Sequence, residues 1–414
     1  MKLANIFSSL IVAGSLISTA VTAQNSSSPY SMFGLGSFNQ SGDIRSAGMG
    51  GAGIALASSY GPNTTNPASL SYLDSMLFYI NIQAKGNFAN YATSSKTQST
   101  FDSNFDQISF GFKAARWWGT SFGVSAISQS NYSIWSEKYI LGSLNKYDVL
   151  YEGDGGLSKA YWSNSWKVLK GLSAGLNLSI VWGNLTSTET STFTYLGGES
   201  ISNIKTYHLN NFVWDAGLHY QFKMKENNVS LGATYQPKTA LLTDFSQEIT
   251  GNSTYYTSDN SASDYELPET FGAGLGVNVL KKSLTFAADF RLERWSKASN
   301  PIKYAQLNDA YRVAAGVEYQ PQKNMYRSIF NRMMYRAGAF MGDTYLTING
   351  QTIFQQGFSA GLGIPLRQRR NYINLSYQYS ISGTKKAGLI EETNHAFKIG
   401  LSLSENWFFK STFE

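Results

Sequence analysis

Near its C-terminal end the chain reads Ile373-Asn374-Leu375-Ser376-Tyr377-Gln378-Tyr379-Ser380-Ile381, an unbroken alternation of apolar and polar side chains. Successive residues of a strand point to opposite faces, so this period puts five large apolar groups on one side and four polar ones on the other. The pattern recurs. Ala174, Leu176, Leu178, Ile180 and Trp182 alternate with Ser173, Gly175, Asn177 and Ser179, and Leu284, Phe286, Ala288, Phe290 and Leu292 with Asp289, Arg291 and Glu293. A strand this polar on one face and this greasy on the other separates water from lipid, with the charges turned to the water. Beyond the N-terminal apolar run, no segment approaches the roughly 18 uninterrupted apolar residues of a membrane helix. The aromatic content, 26 Tyr, 25 Phe and 9 Trp, suits the interfacial girdles of a membrane barrel. The expected class is all-β, a transmembrane antiparallel β-barrel.

Segments of this kind fall near 75–88, 105–116, 119–135, 152–168, 171–183, 208–222, 228–236, 268–280, 283–295, 309–320, 332–342, 353–364, 371–381 and 394–403, which makes about fourteen strands. An even count returns both ends of the barrel sheet to the periplasmic side and leaves no edge in lipid. Connection lengths follow. Residues 116–119, 167–171, 223–228 and Lys281-Lys282 read as tight periplasmic turns, whereas 89–104, 136–151, 184–207 and 237–267 read as long exterior loops, so that residue 252 is expected outside and residue 282 inside. Pro321 to Asn331 is the one long turn on the periplasmic side; with Lys323, Arg327 and Arg332 it would suit a periplasmic contact.

A fourteen-stranded bore is wider than an eight-stranded barrel filled by its own side chains. The stretch Arg45 to Leu70, small, Gly-rich and with Arg45 as its only ionic side chain, is placed to fill it. The expected division is 1–23 signal peptide, 24–74 hatch and 75–414 barrel. Lys2, the apolar run Ile6 to Ile17 and Val21-Thr22-Ala23 carry the first assignment. With no cysteine in the chain, a lipid-anchoring Cys, a disulfide and a Cys-based metal site are excluded. The net charge of +6 is spread in mixed sign, which is no nucleic-acid footprint.

Gly48, Gly50, Gly51 and Gly53 spell a dinucleotide-type fingerprint outside any strand-helix context, and are read instead as permitting tight left-handed turns inside a crowded bore. Asn66-Pro67-Ala68 reads as a turn starter with a rigid residue behind it. The three histidines, His208, His219 and His395, lack zinc spacing, and no metal or cofactor is expected. His219 and Asp215 share a lumen face without a nucleophile context, and no catalytic residue is assigned. Ile140, Leu141, Leu144 and Tyr147 have helical spacing in the exterior segment 137–150 and are candidates for ligand capture on a short amphipathic element. A second patch holds Leu241, Leu242 and Phe245, as loop or strand, with Lys238 placed to meet a carboxylate.

SAGMGGAGIA, a polar spacer and NPASLSYLDSMLFYINI resemble the hatch and first strand of the FadL/TodX family of outer-membrane transporters of long-chain fatty acids and other hydrophobic compounds. ELPETFGAGLGVNV, LTFAADFRLERWS, LNDAYRVAAGVEYQP and YRAGAF resemble its later strands in the same order. The spacer departs from the acidic pattern common in that family, reading Ser58-Ser59-Tyr60-Gly61-Pro62-Asn63-Thr64-Thr65. The resemblance implies passive uptake of a hydrophobic small molecule across the outer membrane, with Gly48 to Gly53 and Asn66 to Ala68 in an ordered but lightly held gate. Expected partners are outer-membrane lipid and lipopolysaccharide. Barrels resembling this family also serve protein-export machines of type IX secretion in Bacteroidota, and the opening SSSPYSMFGLGSF resembles outer-membrane proteins of that group, so a partner barrel without transport of its own is the alternative.

Overall fold

The computed structural model describes residues 28–39, 42–57, 61–194, 197–251, 254–261, 265–279, 283–300, 305–321, 328–366 and 371–407. Among them the sheet closes into a barrel of fourteen antiparallel strands. In chain order these are β1 (Leu77–Ala92), β2 (Thr97–Ala115), β3 (Trp118–Ala126 and Tyr132–Tyr139), β4 (Lys146–Leu169), β5 (Leu172–Phe193), β6 (Glu199–Met224) and β7 (Asn227–Gln236 and Thr239–Gly251). There follow β8 (Thr254–Ser261, Tyr265–Leu267 and Glu269–Val279), β9 (Leu284–Arg294), β10 (Gln306–Leu307 and Ala310–Tyr319), β11 (Met334–Ile348), β12 (Gln351–Pro365), β13 (Tyr372–Gly383) and β14 (Glu391–Asn406). Closure is made by β1 on β14, from Leu77 opposite Asn406 to Ala92 opposite Glu391. The facing read from the alternation holds. Ser173, Asn177 and Ser179 are buried in the lumen while Ile180 and Trp182 are exposed on the outside, and Asn374 and Ser376 are buried where Leu375 is exposed.

The exterior connections differ from expectation. Segments 89–104, 136–151, 184–207 and much of 237–267 are, among the described residues, not loops but upward continuations of the strands. β4, β5 and β6 run to 24, 22 and 26 residues, about twice the roughly 9–11 needed to cross the membrane. Outside lipid both faces of a strand meet water, so the alternation that marks a spanning segment disappears while Thr-rich stretches still favour extended backbone. Tyr132–Tyr139 and the upper parts of β4, β5, β6, β7 and β8 thus pair into a six-stranded sheet standing above the barrel. The other end carries the short turns, which in outer-membrane barrels face the periplasm. The positions 252, 281, 282, 323 and 327, part of the spacer (58–60) and the expected signal peptide lie outside the described residues.

The N-terminal segment fills the bore. Pro29–Met32 forms a single 3-10 turn, and Ser37–Phe38 pairs as a short strand with Ser128–Gln129, where β3 is interrupted. Around it an aromatic core closes the exterior half: Trp295 stacks on Tyr345 at 4.4 Å between centroids, Phe38 meets both edge-on, and Leu35 is fully buried. The chain then descends into the periplasmic half through a helical turn at Ile44–Ala47, capped by Asp43, and a 3-10 segment at Pro67–Tyr72.

Candidate functional site

The hatch backbone lies directly on the barrel wall because the wall is glycine where the two meet. A Cβ on Gly119, Gly175, Gly217, Gly232, Gly316 or Gly338 would run into hatch atoms of Leu70, Ala68, Asn66, Ile54 or Met49 at less than van der Waals distance. These six glycines come from six strands, β3, β5, β6, β7, β10 and β11, so the belt runs around more than half of the plug. Within the hatch, Gly50 (φ 74°) and Gly51 (φ 95°) are left-handed, as the sequence pattern predicts. Gly48 is the C-cap of the Ile44–Ala47 turn, and a side chain at Gly53 would strike Ser46. Asn66 is completely buried and does three things: its Oδ1 accepts from Ala68 N–H at 3.0 Å, and its Nδ2 donates to Ile54 O at 2.8 Å and to Leu218 O of the wall at 3.0 Å. Pro67 opens the 3-10 segment behind it.

Polar contacts complete the attachment. The Glu318 carboxylate of β10 accepts from Arg45 of the hatch at 2.7 and 3.0 Å and from Arg336 of β11 at 2.7 Å; Arg336 also donates to Asn374. Asp289 accepts the Gly53 and Ile54 amides at 2.6 and 2.8 Å, and Ser359 accepts that of Gly50 at 2.7 Å. Arg312 donates to Gly50 O, and Ser165 to Ala68 O. Hydrogen bonds to charged groups contribute about 1.5–3 kcal/mol each and neutral ones about 1 kcal/mol. The segment expected to be lightly held is therefore clamped to the wall. Sequence reading placed such charges in the lumen but could not pair them, because Arg45 and Glu318 meet only through closure of the barrel. His219 and Asp215 do not meet each other: His219 donates to Ala55 O at 3.1 Å and lies edge-on to Tyr72, and Asp215 accepts from Asn177.

A seam opens above the hatch. β2 pairs with β3 only from Gln107 opposite Ser125 down to Ala115 opposite Trp118, and Tyr132–Tyr139 pairs only with β4. Phe101–Asp106 thus has no ladder partner on that side among the described residues. The cause is a kink at 127–131, where β3 turns inward to take Ser37–Phe38; Gly155 and Gly156 of β4, with φ 124° and 148°, accommodate it, and a Cβ on Gly156 would strike Ser128 O. Two lumen cavities flank the N-terminal strand, one at the lower end of the seam and one bordering the seam itself. One, of about 220 Å3, is bordered by Gln107, Ile127, Phe38 and Trp295, with Lys159, Asp215 and Arg291 below. The other, of about 180 Å3, is bordered by Asp102 and Gln129 on the two sides of the seam, with Lys85 and Lys398 behind.

The candidate capture residues are distributed differently from expectation. Ile140, Leu141, Leu144 and Tyr147 make no helix: they sit on and beside a hairpin tip between β3 and β4, with Leu141 and Leu144 fully exposed and Tyr147 stacked on Phe193. Thr239–Gly251 is a strand, so its apolar residues divide between faces: Leu241 is buried in the lumen core, Leu242 is exposed, and Phe245 packs on Tyr207. Lys238 is paired with Glu266 at 3.1 Å rather than free for a ligand.

A closed barrel plugged from its N-terminus and kinked at the third strand defines an outer-membrane protein with the FadL/TodX fold. The Ralstonia pickettii toluene transporter TbuX superposes with a TM-score of 0.58 at 15% identity, covering 89% of this chain and all of that one. The Pseudomonas putida toluene transporter TodX gives 0.58 at 16% over 90% and 100%, and a Pseudomonas aeruginosa FadL homologue 0.58 at 10% over 91% and 100%. Two of these three neighbours are toluene transporters. At the level of sequence the family is a different one: the BamG profile matches residues 5–414, and the chain belongs to the BamG family. No curated protein matches it significantly in sequence.

Proposed function

We propose that this barrel passes hydrophobic or amphiphilic small molecules, long-chain fatty acids among them, between its exterior lumen and the outer leaflet by way of the seam between β2 and β3. The observation that carries the reading is the missing ladder beside Phe101–Asp106, which one cavity borders at Asp102 and the other meets at its lower end, at Gln107. A clamped hatch blocks the straight path below, whereas a lateral path requires displacement only of the short Ser37–Phe38 strand and not of the hatch held by Glu318 and Asp289. Toluene transporters among the structural neighbours agree with a hydrophobic cargo. The N-terminal strand stands in that path. Phe38 and Ser128 are cross-strand partners, a spacing that admits a disulfide in a chain without native cysteine. With Phe38→Cys and Ser128→Cys, oxidation is expected to reduce uptake of a fluorescent fatty acid by proteoliposomes about tenfold, with recovery on reduction, since a factor of ten is only ~1.4 kcal/mol of barrier. Equal uptake in both redox states would remove the seam from the route.

A second reading, a partner barrel of a protein-export machine, is favoured by the tall exterior sheet. Its strand Tyr132–Tyr139 offers an unpaired edge, and the adjacent tip exposes Leu141 and Leu144 completely. Gentle purification separates the two: a stoichiometric protein partner together with no uptake by the reconstituted parent protein supports the second and sinks the first.

A further inference from the structure

The short-turn end of the barrel carries its own charge pattern. Three adjacent turns, joining β2 to β3, β4 to β5 and β6 to β7, each bear two basic residues: Lys113 and Arg116, Lys167 and Lys170, Lys223 and Lys225. Their placement is not that of side chains reaching toward lipid headgroups. Lys113 follows Gly111 by two residues, Lys167 follows Ser165, and Lys223 follows His219 by four, and Gly111, Ser165 and His219 all touch the hatch, so the three lysines lie on the lumen face. They line one arc of the mouth just below the plug. Lys113 and Lys167 lie near enough to repel each other, and Lys167 Nζ is 5.2 Å from the ring of Tyr72. Against six cations the same arc holds two acids, Asp74 beside Lys113 and Glu226 in the last turn. Like charges gathered in water cost folding energy unless something anionic meets them.

We propose that this periplasmic mouth is a docking surface for an acidic, extended segment of a periplasmic polypeptide, which would seat against the underside of the hatch. The inward facing of Lys113, Lys167 and Lys223 favours a water-borne partner over phospholipid, and their spread over three turns favours a chain over a single small ion. The inference is independent of any transport through the seam.

The test uses the full barrel in phosphatidylcholine nanodiscs titrated with fluorescent poly-L-glutamate. Saturable binding that weakens with salt is expected for the parent. Replacing Lys113, Lys167 and Lys223 together by Gln should weaken it about tenfold or more, whereas Lys96, Lys138 and Lys205 replaced by Gln at the other end, the same change in net charge, should alter it less than about twofold. Heat-modifiable migration verifies folding of each variant. If the first set fails to assemble, Arg116→Gln with Lys170→Gln and Lys225→Gln replaces it, with the same expectation. Equal weakening by both ends, or no saturable binding, overturns the proposal. So does a rim variant that binds poly-L-glutamate like the parent but loses co-purifying phosphatidylglycerol, since the surface would then belong to lipid.

Discussion

At the scale of single residues, the plug is held by what the wall lacks. Gly338 of β11 lies under Met49 and Gly50, and the hatch backbone there cannot retreat because Arg312 and Ser359 bind Gly50 from both of its peptide groups. Gly338→Val should therefore cost about 1–3 kcal/mol, the range for overpacking a filled site. It should lower the temperature at which the barrel loses its folded electrophoretic mobility. Gly86→Ala is the control, because its Cβ would make an ordinary 3.5 Å contact with Phe101; equal effects of the two would mean that close approach at Gly338 does not matter. Of the hatch glycines read as left-handed turn formers, Gly50 and Gly51 are, while Gly48 is right-handed and Gly53 is required for its close approach to Ser46. Their counterparts in the wall were not legible, since a lone glycine in a strand such as β11 carries no mark of what will lie against it.

At the scale of elements, facing was legible wherever one side of a strand meets lipid. Leu178 and Ser179 are neighbours in β5, the first toward lipid and the second buried in the lumen beside the larger cavity. Leu178→Arg should cost about 2–4 kcal/mol near the bilayer midplane and impair assembly, while Ser179→Arg, close to Asp215, should assemble nearly as the parent does. Folded yields that do not differ would contradict the facing of this strand. The interruption of β3 escaped sequence reading, which ran a single strand through 119–135. Ile127-Ser128-Gln129-Ser130-Asn131 contains no proline or glycine, and the bend comes from its neighbours, the Gly155-Gly156 pair on one side and the N-terminal strand on the other. The helix expected over 137–150 failed for a related reason: in a hairpin tip surrounded by water, apolar spacing has no buried face to report.

For the whole molecule, strand pairing closes through β1 and β14 without help from the plug, so removal of residues 45–70 should leave an assembled barrel. It would expose Asp289, Glu318, Arg312 and Arg336 to a water-filled bore, where their charge is solvated instead of buried, and ion conductance in planar bilayers should rise well above that of the parent. A deletion variant that assembles but conducts no more than the parent would place the seal elsewhere, in the aromatic core around Leu35, Trp295 and Tyr345. The division between sequence and structure follows from range. Alternation, strand number, the order of short turns and the presence of a Gly-rich plug were determined by the sequence alone, because each depends on neighbours a few residues apart and on the contrast between lipid and water. The clamp of Arg45 on Glu318 across 273 positions, the glycine belt, the seam beside β2 and the basic mouth beneath the hatch were decided only by the tertiary structure. Each brings together residues from distant strands, and closure of the barrel is the step that sets them side by side.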